Sequence, residues 1–453
     1  MTRPGHNLLK KRSLPGVLLF FAIFCQVSGG PFGLESAVSE AGAWMALLLI
    51  VVLPFVWALP DALTTCELAP AIPEEGGYVV WVRRALGPFA GFLNGWWTWL
   101  YTLADAAIYP VLFATYVHEA AQAVFGAQVF GGDGAQWGLS VAMIALFGWL
   151  NYRGTRVVGF TSVGLALLIL IPFAVFAAVG LTASGGSAAG IPFAARPEDV
   201  QGSLAAGLGI VMWNYLGWDA LSTIAEEVDE PQRAYPRALL AGVAVVTLAY
   251  LVPVWIGLHF VPDEGAWVEG AWPAIAEAVG GPWLGNLMRV AAIVSPIALF
   301  TGSLLASSRV PFAMAEFGFL PPAFAKLHPR FGTPWVAILF QSLVFAILAT
   351  KTFQELVALN VIMYGAALIL ETTALLVLRV KEPDLPRPFR IRGGWPVLGL
   401  IFLLPVSLVV ILVVLSIQEE GWAAQGLTAA ALASGPIVYL LVRNRGSRSG
   451  EEA

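Results

Sequence analysis

Long apolar stretches recur along the whole chain and set its basic pattern. A membrane helix needs about 20 mostly apolar residues, and a scan for such stretches predicts twelve spans. They are 14–40, 43–70, 87–120, 137–152, 156–183, 202–228, 236–261, 283–314, 333–350, 354–379, 395–416 and 422–442. We therefore expect an all-α polytopic membrane protein with short loops and no soluble domain.

The basic residues support this arrangement and orient it. Cytoplasmic loops carry an excess of Lys and Arg. With twelve spans and both termini in the cytoplasm of the inner (plasma) membrane, only Arg196, Arg289 and Lys351 fall on the other side. The basic start precedes an apolar stretch with no small-residue cleavage site, so a first membrane helix is predicted rather than a cleavable signal.

Composition and motifs exclude several classes of function. The 453 residues are 58% hydrophobic and 12% charged, against about 25% charged in typical soluble domains. A soluble enzyme, a nucleic-acid binder and a disordered chain are excluded. Cys25 and Cys66 lie in apolar runs and predict no disulfide. Gln122 stands where a zinc-protease helix needs its second His. No enzyme activity, metal or cofactor is expected.

Two predicted helices are interrupted at corresponding places. The first break covers 28–33 and begins Ser28-Gly29-Gly30, and the second covers 214–219, with Asn214 at its start. The breaks lie in the first and sixth spans, five spans apart. Because five is an odd number, the second group of five spans enters the membrane from the opposite side, which predicts a 5+5 inverted repeat. Interrupted helices at matching positions indicate a substrate site near the bilayer midplane. A simple kink or a short loop is the alternative for the first break.

Four carboxylates lie inside predicted spans: Glu35, Asp105, Asp219 and Glu371. An ionisable residue at this depth usually marks a functional path. No Lys or Arg occupies the interior of these helices. Without basic partners, buried carboxylates need a cation, a proton or water.

Each carboxylate also has a structural alternative. Glu35 and Asp219 could complement or cap the half-helices that follow the breaks, and Glu371 could reach Arg379 or water. Asp105, in the middle of its helix, has the weakest structural explanation. Four acidic residues nearer span ends are expected to be structural or gating: Asp61, Glu67, Glu226 and Glu227.

Aromatic residues accompany these carboxylates. Trp213, Tyr215 and Trp218 flank the second break, and Tyr109 follows Asp105 by one helical turn. Aromatic faces attract ammonium groups, although many membrane Trp and Tyr residues simply form interfacial belts.

The chain is divided by this pattern into five parts. A cytoplasmic N-terminus (1–13) precedes a ten-helix transport core (14–379), followed by a cytoplasmic linker (380–394), helices 11 and 12 (395–442) and a cytoplasmic tail (443–453).

Several motifs resemble the polyamine-uptake branch of the amino acid–polyamine–organocation superfamily. They are Ser28-Gly29-Gly30-Pro31-Phe32-Gly33-Leu34-Glu35, Glu67-Leu68-Ala69, Gly76-Gly77-Tyr78-Val79-Val80-Trp81, Tyr109-Pro110-Val111-Leu112, Trp213-Asn214, Trp218-Asp219, Glu227-Val228, Glu230-Pro231 and Arg387-Pro388-Phe389. The resemblance covers about 14–395. It implies the LeuT-type fold, with substrate held between helices 1, 3, 6, 8 and 10.

The first break departs from the superfamily's commoner motif. In amino-acid carriers of this type, free N–H groups there bind the substrate carboxylate. Pro31 removes one donor and Glu35 adds negative charge, and both changes favour a cation. The fifth predicted span lacks the Lys that some proton-coupled relatives use, which leaves Thr161, Ser162, Ser303 and the carboxylates as ion-coupling candidates.

We therefore expect a secondary transporter that imports a small organic cation such as putrescine or spermidine by alternating access, coupled to protons rather than sodium. The expected substrate-binding residues are Ser28, Gly29, Gly30, Glu35, Asp105, Tyr109, Trp213, Asn214, Tyr215, Trp218, Asp219 and Glu371. An amino-acid permease or exchanger is the main alternative, with a membrane enzyme or a non-transporting sensor as further ones. Exact substrate, symport versus exchange and oligomeric state stay open.

Overall fold

Helices make up nearly all of the computed structural model, which describes residues 14–126, 130–183, 199–268, 270–350, 353–420 and 426–449. The described α-helices are α1 Gly16–Val27, α2 Leu34–Ala41, α3 Ala43–Ala71, α4 Tyr78–Leu86, α5 Pro88–Phe125, α6 Asp133–Arg153, α7 Thr155–Ala183, α8 Val200–Asn214, α9 Pro231–Phe260, α10 Trp272–Gly280, α11 Pro282–Ser307, α12 Arg309–Glu316, α13 Trp335–Leu348, α14 Phe353–Lys381, α15 Gly394–Glu420 and α16 Gly426–Ser449. The helical fold class expected from the sequence is confirmed. Predicted loop residues such as Arg196 and Lys351, and the segment 1–13, lie outside the described residues.

Seven stretches in the described part of the chain are long and apolar enough to cross a membrane. They are Ala43–Ala71, Pro88–Gln122, Thr155–Ala183, Pro231–Phe260, Pro282–Glu316, Asn360–Lys381 and Gly394–Gln418. Shorter apolar helices at Gly16–Val27, Trp335–Leu348 and Thr428–Val442 fall within three further predicted spans. The chain is therefore a multi-pass membrane protein.

Helix α5 runs through the centre of the bundle and packs against α11 and α14. A glycine allows close packing between the start of α5 and α4. A Cβ atom on Gly91 would lie 2.8 Å from Cα of Arg83 in α4, so only glycine fits there. The long helix is thereby held against its neighbours along its length and presents its central residues to the middle of the bundle.

The chain leaves helical geometry after α1 and after α8. Ser28 has extended backbone (φ −134°, ψ 121°), and α2 begins only at Leu34, after Gly33 with φ +92°. After α8 ends at Asn214, Gly217 adopts φ +94°. Positive φ strains any residue with a Cβ atom, so these two glycines allow the chain to turn here.

The segment after the second non-helical stretch differs from the sequence expectation of a continued α-helix. Ala220–Glu227 is a 3-10 helix with a non-helical residue, Ile224, inside it. Gly77 packs directly onto this segment, where a Cβ atom would lie 2.5 Å from the Ser222 carbonyl carbon. A 3-10 helix has poorer hydrogen-bond geometry than an α-helix and is used in short pieces. Here the 3-10 segment packs against the chain at Gly77.

The polar linker between α14 and α15 is bound to the bundle through one buried carboxylate. Glu67 in α3 accepts hydrogen bonds from Arg379 Nε at 2.6 Å and from the Ile391 N–H at 2.9 Å, and it pairs with Arg387 Nε at 3.1 Å. A more exposed ion pair joins Arg84 of α4 to Glu382, at the start of the linker, at 2.6 Å. Hydrogen bonds from Arg84 lower the pKa of Glu382 below its usual value. Arg379 therefore forms its ion pair with Glu67 rather than with Glu371.

Candidate functional site

A small cavity lies where the two non-helical stretches meet α5 and α14. Its volume is about 40 Å³, enough for roughly three water molecules. The described residues that line it are Gln26, Val27, Gly29, Phe32, Tyr101, Thr102, Asp105, Tyr109, Trp213, Asn214, Leu216, Gly217, Tyr250, Leu299, Asn360 and Tyr364. Asp105 is the one charged side chain among them. The remaining polar atoms are hydroxyls, amides and an indole.

Asp105 is held by three donors from three helices. It accepts hydrogen bonds from Tyr109 OH at 2.7 Å, Asn360 Nδ2 at 2.6 Å and Trp213 Nε1 at 3.2 Å. Tyr109 lies one turn further along α5, where i and i+4 side chains meet. These neutral donors orient the carboxylate but leave its charge uncompensated, so the cavity favours a positively charged guest.

At the first non-helical stretch, most of the backbone donors already have partners. The N–H of Gly30 bonds to Ser28 Oγ at 3.1 Å, that of Gly33 to Glu35 Oε2 at 2.7 Å, and that of Leu34 to the Pro31 carbonyl at 3.2 Å. Pro31 has no N–H group. A substrate carboxylate would have to compete for these donors, whereas an ammonium group would not need them.

Glu35 faces the connection between α9 and α10 rather than the cavity. Its second carboxylate oxygen, Oε1, accepts from the Gly270 N–H at 3.1 Å. In the same region Trp272 Nε1 donates to the Pro31 carbonyl at 2.9 Å, and Glu264 Oε1 accepts from the Ala43 N–H at 2.7 Å. These bonds close one end of the bundle over the first non-helical stretch.

An ion cluster closes the opposite end. Arg309 is fully buried and pairs with Glu227 at 2.9 Å and with Glu75 at 3.5 Å. Glu227 also accepts from Thr155 Oγ1 at 2.8 Å, and its carbonyl accepts from the Leu14 N–H at 2.6 Å.

Residues of the second non-helical stretch have different surroundings. Trp213 and Asn214 line the cavity, whereas Tyr215 and Trp218 are buried outside it. Tyr215 OH donates to the Ile50 carbonyl at 3.1 Å. Pro54 cannot donate to that carbonyl because proline lacks an N–H group, so Tyr215 supplies the bond that α3 would otherwise miss. The six-membered ring of Trp218 packs against Gly242 of α9.

Asp219 and Glu371 lie behind Tyr364, which separates them from the cavity. Tyr364 OH is 2.8 Å from Asp219 Oδ1 and also contacts Asp61 Oδ2. Glu371 accepts from Asn94 Nδ2 at 3.0 Å. The three carboxylates are buried and come from different segments of the chain. We call Asp61, Asp219 and Glu371 the acid cluster.

The three ion-coupling candidates do not form one group of contacts. Thr161 Oγ1 donates to the Val157 carbonyl of its own helix at 3.0 Å. The buried hydroxyl oxygens of Ser162 and Ser303 have no hydrogen-bond partner in the described part of the structure. Within the same part, no group of three His, Cys, Asp or Glu side chains is arranged to hold a metal ion.

Three cavity residues were not among the predicted site residues and had not been singled out from the sequence. Gln26, Asn360 and Tyr364 line the cavity, and each lies in a mostly apolar helix. The i, i+4 spacing of Asn360 and Tyr364 places both on one face of α14. That spacing, in an otherwise apolar span, was the signal available.

Comparison with known proteins identifies the family. The family model described as amino acid permease matches residues 18–433. The chain belongs to the amino acid permease family. It is therefore a member of the amino acid–polyamine–organocation superfamily and a transporter rather than an enzyme.

Individual relatives agree with this assignment. The chain is 36% identical over 443 residues to "Polyamine transporter PUT1" of Oryza sativa subsp. japonica, covering 96% of this chain and 80% of the relative. It is 35% identical to "Polyamine transporter RMV1" of Arabidopsis thaliana, covering 87% and 78%. "Branched-chain amino acid permease BcaP" of Bacillus subtilis is 25% identical, with 85% and 83% covered.

A solved structure supports the fold. MhsT in complex with L-phenylalanine matches with a TM-score of 0.62 at 15% identity, covering 88% of this chain and 97% of that one. The fold is therefore of the LeuT type.

Proposed function

We propose that the chain is a secondary active transporter that imports a small organic cation, a polyamine such as putrescine or spermidine, by alternating access. The observation that carries this proposal is Asp105, the single charged side chain among the described residues that line the cavity. A lone carboxylate surrounded by neutral donors and aromatic faces suits an ammonium group.

Asp105 binds one ammonium group of the substrate in this proposal. Tyr109 and Trp213 hold the carboxylate in place, and the aromatic rings of the lining cover the methylene chain. The cavity of about 40 Å³ must enlarge to admit a polyamine. The non-helical stretches around Gly29, Gly30 and Asn214 are the hinges that allow this change.

The other expected site residues take supporting roles in the proposal. Asp219 and Glu371 do not line the cavity, and we propose that they act through Tyr364 rather than by contacting the substrate. Glu35 and Ser28 set the geometry of the first non-helical stretch, and Tyr215 and Trp218 anchor the second. An aspartate-to-asparagine change at Asp219 tests its role: putrescine counterflow is expected to persist and accumulation driven by a pH gradient to fall.

The membrane arrangement is also proposed. Twelve spans in a 5+5 inverted repeat, with helices 1 and 6 broken, account for the non-helical stretches after α1 and α8. The transport core is 14–379, the linker is 380–394 and the last two helices are 395–442. Both termini lie in the cytoplasm of the plasma membrane, as the distribution of Lys and Arg predicts.

Protons are the proposed coupling ion. Carboxylates that lack basic partners take up protons readily when buried. Sodium bound near Ser162 and Ser303 is the alternative. The names of the plant relatives support a polyamine substrate.

An amino-acid permease or exchanger is the second candidate. The more distant relatives "Branched-chain amino acid permease BcaP" and "Serine/threonine exchanger SteT" favour it. Against it, the N–H groups of Gly30, Gly33 and Leu34 already have acceptors, which leaves few donors for an α-carboxylate.

Counterflow in proteoliposomes separates these candidates. Vesicles loaded with one unlabelled compound from a panel of polyamines and amino acids are diluted into labelled compound, with and without imposed sodium and pH gradients. We expect labelled putrescine or spermidine to enter and a pH gradient to drive accumulation. Counterflow of amino acids alone would contradict the proposal.

A further inference from the structure

Three buried carboxyl groups lie behind the cavity, and two of them, Asp61 and Asp219, contact the hydroxyl of Tyr364. Asp61 comes from α3, Asp219 from the second non-helical stretch, and Glu371 and Tyr364 from α14. Asp61 and Asp219 are each 2% exposed and Glu371 is 0% exposed. Its position near a span end predicts a structural or gating role for Asp61, and no comparison assigns it another.

The hydrogen bonds at the Tyr364 hydroxyl require one proton more than the tyrosine itself supplies. The hydroxyl oxygen accepts from the Gly217 N–H at 3.1 Å. The hydroxyl also makes hydrogen-bond contacts with both Asp61 Oδ2 and Asp219 Oδ1. A tyrosine hydroxyl has one proton to donate. The second oxygen–oxygen contact is a hydrogen bond only if one of the two carboxyl groups carries a proton and donates it to Tyr364.

Glu371 extends the same shortage of donors. One of its carboxyl oxygens, Oε1, accepts from Asn94 Nδ2 at 3.0 Å. Among the described residues, no donor contacts Glu371 Oε2 or Asp61 Oδ1. These buried oxygens therefore lack the hydrogen-bond donors that an ionised carboxylate needs.

The groups that face the cluster do not supply a counter-charge. They are Tyr78, Tyr101, Cys66 and the more distant Asp105, together with Tyr364 itself. Arg379, further along α14 than Glu371, is bonded to Glu67. Protons are therefore the positive charge that this arrangement accommodates without any change of structure.

We propose that Asp61, Asp219 and Glu371 bind the protons that drive transport, and that Tyr364 links their protonation to the occupancy of the cavity. This inference rests on the proposed function. Tyr364 lines the cavity and also contacts Asp61 and Asp219 of the acid cluster. A substrate that moves Tyr364 therefore breaks the shared hydrogen bonds and changes which carboxyl group holds a proton. Each proton enters from water on one side and is released to water on the other.

Replacing Asp61 with Asn tests the transport part of this proposal. The change keeps the shape of the side chain and removes the group that can gain or lose a proton. In proteoliposomes, Asp61→Asn is expected to retain putrescine counterflow, which needs no net driving force, and to lose accumulation driven by a pH gradient at least tenfold. Asp384→Asn, in the exposed linker, is the control and should match wild type in both assays.

Each other outcome counts against the proposal. Wild-type accumulation by Asp61→Asn would remove the cluster from coupling. Loss of counterflow as well, or weaker spermidine binding with intact accumulation, would assign the cluster to substrate. Failure of the unmodified protein to exchange any polyamine would instead refute the proposed function.

Infrared difference spectroscopy tests proton binding without transport. Purified wild-type protein at neutral pH is expected to show the carbonyl stretch of protonated carboxyl groups. Asp61→Asn and Glu371→Gln should each weaken that band, whereas Asp384→Asn should not. A spectrum in which neither variant differs from wild type would overturn the proposal, even if both variants fold normally.

Discussion

Replacing Asp105 with Asn removes the charge of the cavity while keeping its shape. The carboxylate accepts three hydrogen bonds, at 2.6, 2.7 and 3.2 Å. Asparagine has one acceptor oxygen and adds two N–H donors, so it cannot accept from all three partners as the carboxylate does. In the proposed complex, the substrate ammonium would also lose its partner.

The expected effect on binding is large. Removing one partner of a buried ion pair costs about 3–5 kcal/mol, and each 1.4 kcal/mol is about tenfold in affinity. Asp105→Asn should therefore weaken putrescine binding at least about 100-fold. Tyr109→Phe, which removes one of the three hydrogen bonds, should weaken binding by roughly tenfold.

Binding of labelled putrescine to purified protein measures these effects directly. Asp133→Asn, at the exposed start of α6, is the matched control and should bind like wild type. Thermal unfolding of the empty protein shows whether the variant folds, and we expect no loss of stability because the substitution removes an uncompensated charge. Wild-type affinity in Asp105→Asn would refute the role assigned to this residue.

Three further predictions follow from the contacts at the two ends of the bundle and at the candidate ion site. Glu67→Gln should lower the free energy of unfolding by about 3–5 kcal/mol because it leaves two buried arginines without their partner. Glu382→Gln removes a more exposed pair and should lower it by less than about 1 kcal/mol. Thermal unfolding of the two variants compares these losses, and equal losses would contradict this reasoning. Trp272→Phe removes the hydrogen bond to Pro31 and should speed alkylation of a Thr102→Cys variant in the cavity, with an unchanged rate as the contrary result. Ser303→Ala should leave putrescine uptake within about threefold of wild type, and a sodium-dependent loss would favour sodium coupling instead.

The pH dependence of the Arg84–Glu382 pair provides a separate check. Because Arg84 lowers the pKa of Glu382, the pair stabilises the folded protein fully at a pH above the pKa of glutamate in the unfolded chain, about 4.3. This stabilisation is lost as the pH falls through the lower pKa that Glu382 has in the folded protein. The difference in stability between wild type and Glu382→Gln should therefore be constant from pH 6 to pH 8 and shrink in acid. A change between pH 6 and pH 8 would show that another group dominates.

The sequence located Asp105 because a mid-helix aspartate in an apolar span has few structural explanations. It also predicted an interruption at 28–33 from the run of small residues and proline there, and the chain is non-helical between α1 and α2. These are local signals, visible within a few residues. The family resemblance was confirmed by comparison with known proteins.

Contacts between distant segments could not be predicted in the same way. Tyr364 and Asp61 are 303 residues apart in sequence, and Glu35 bonds to Gly270 across 235 residues. A single sequence carries no record of such pairs. The apolar pattern also could not distinguish an α-helix from the 3-10 helix at Ala220–Glu227, because that choice depends on packing against the chain at Gly77.

The distance between the substrate ammonium nitrogen and the Asp105 carboxylate is the most direct test of the central claim. An experimental structure with putrescine bound should place one ammonium nitrogen about 2.7–2.9 Å from an Asp105 oxygen, inside an enlarged cavity. Putrescine bound elsewhere, with Asp105 still bonded only to Tyr109, Trp213 and Asn360, would contradict it.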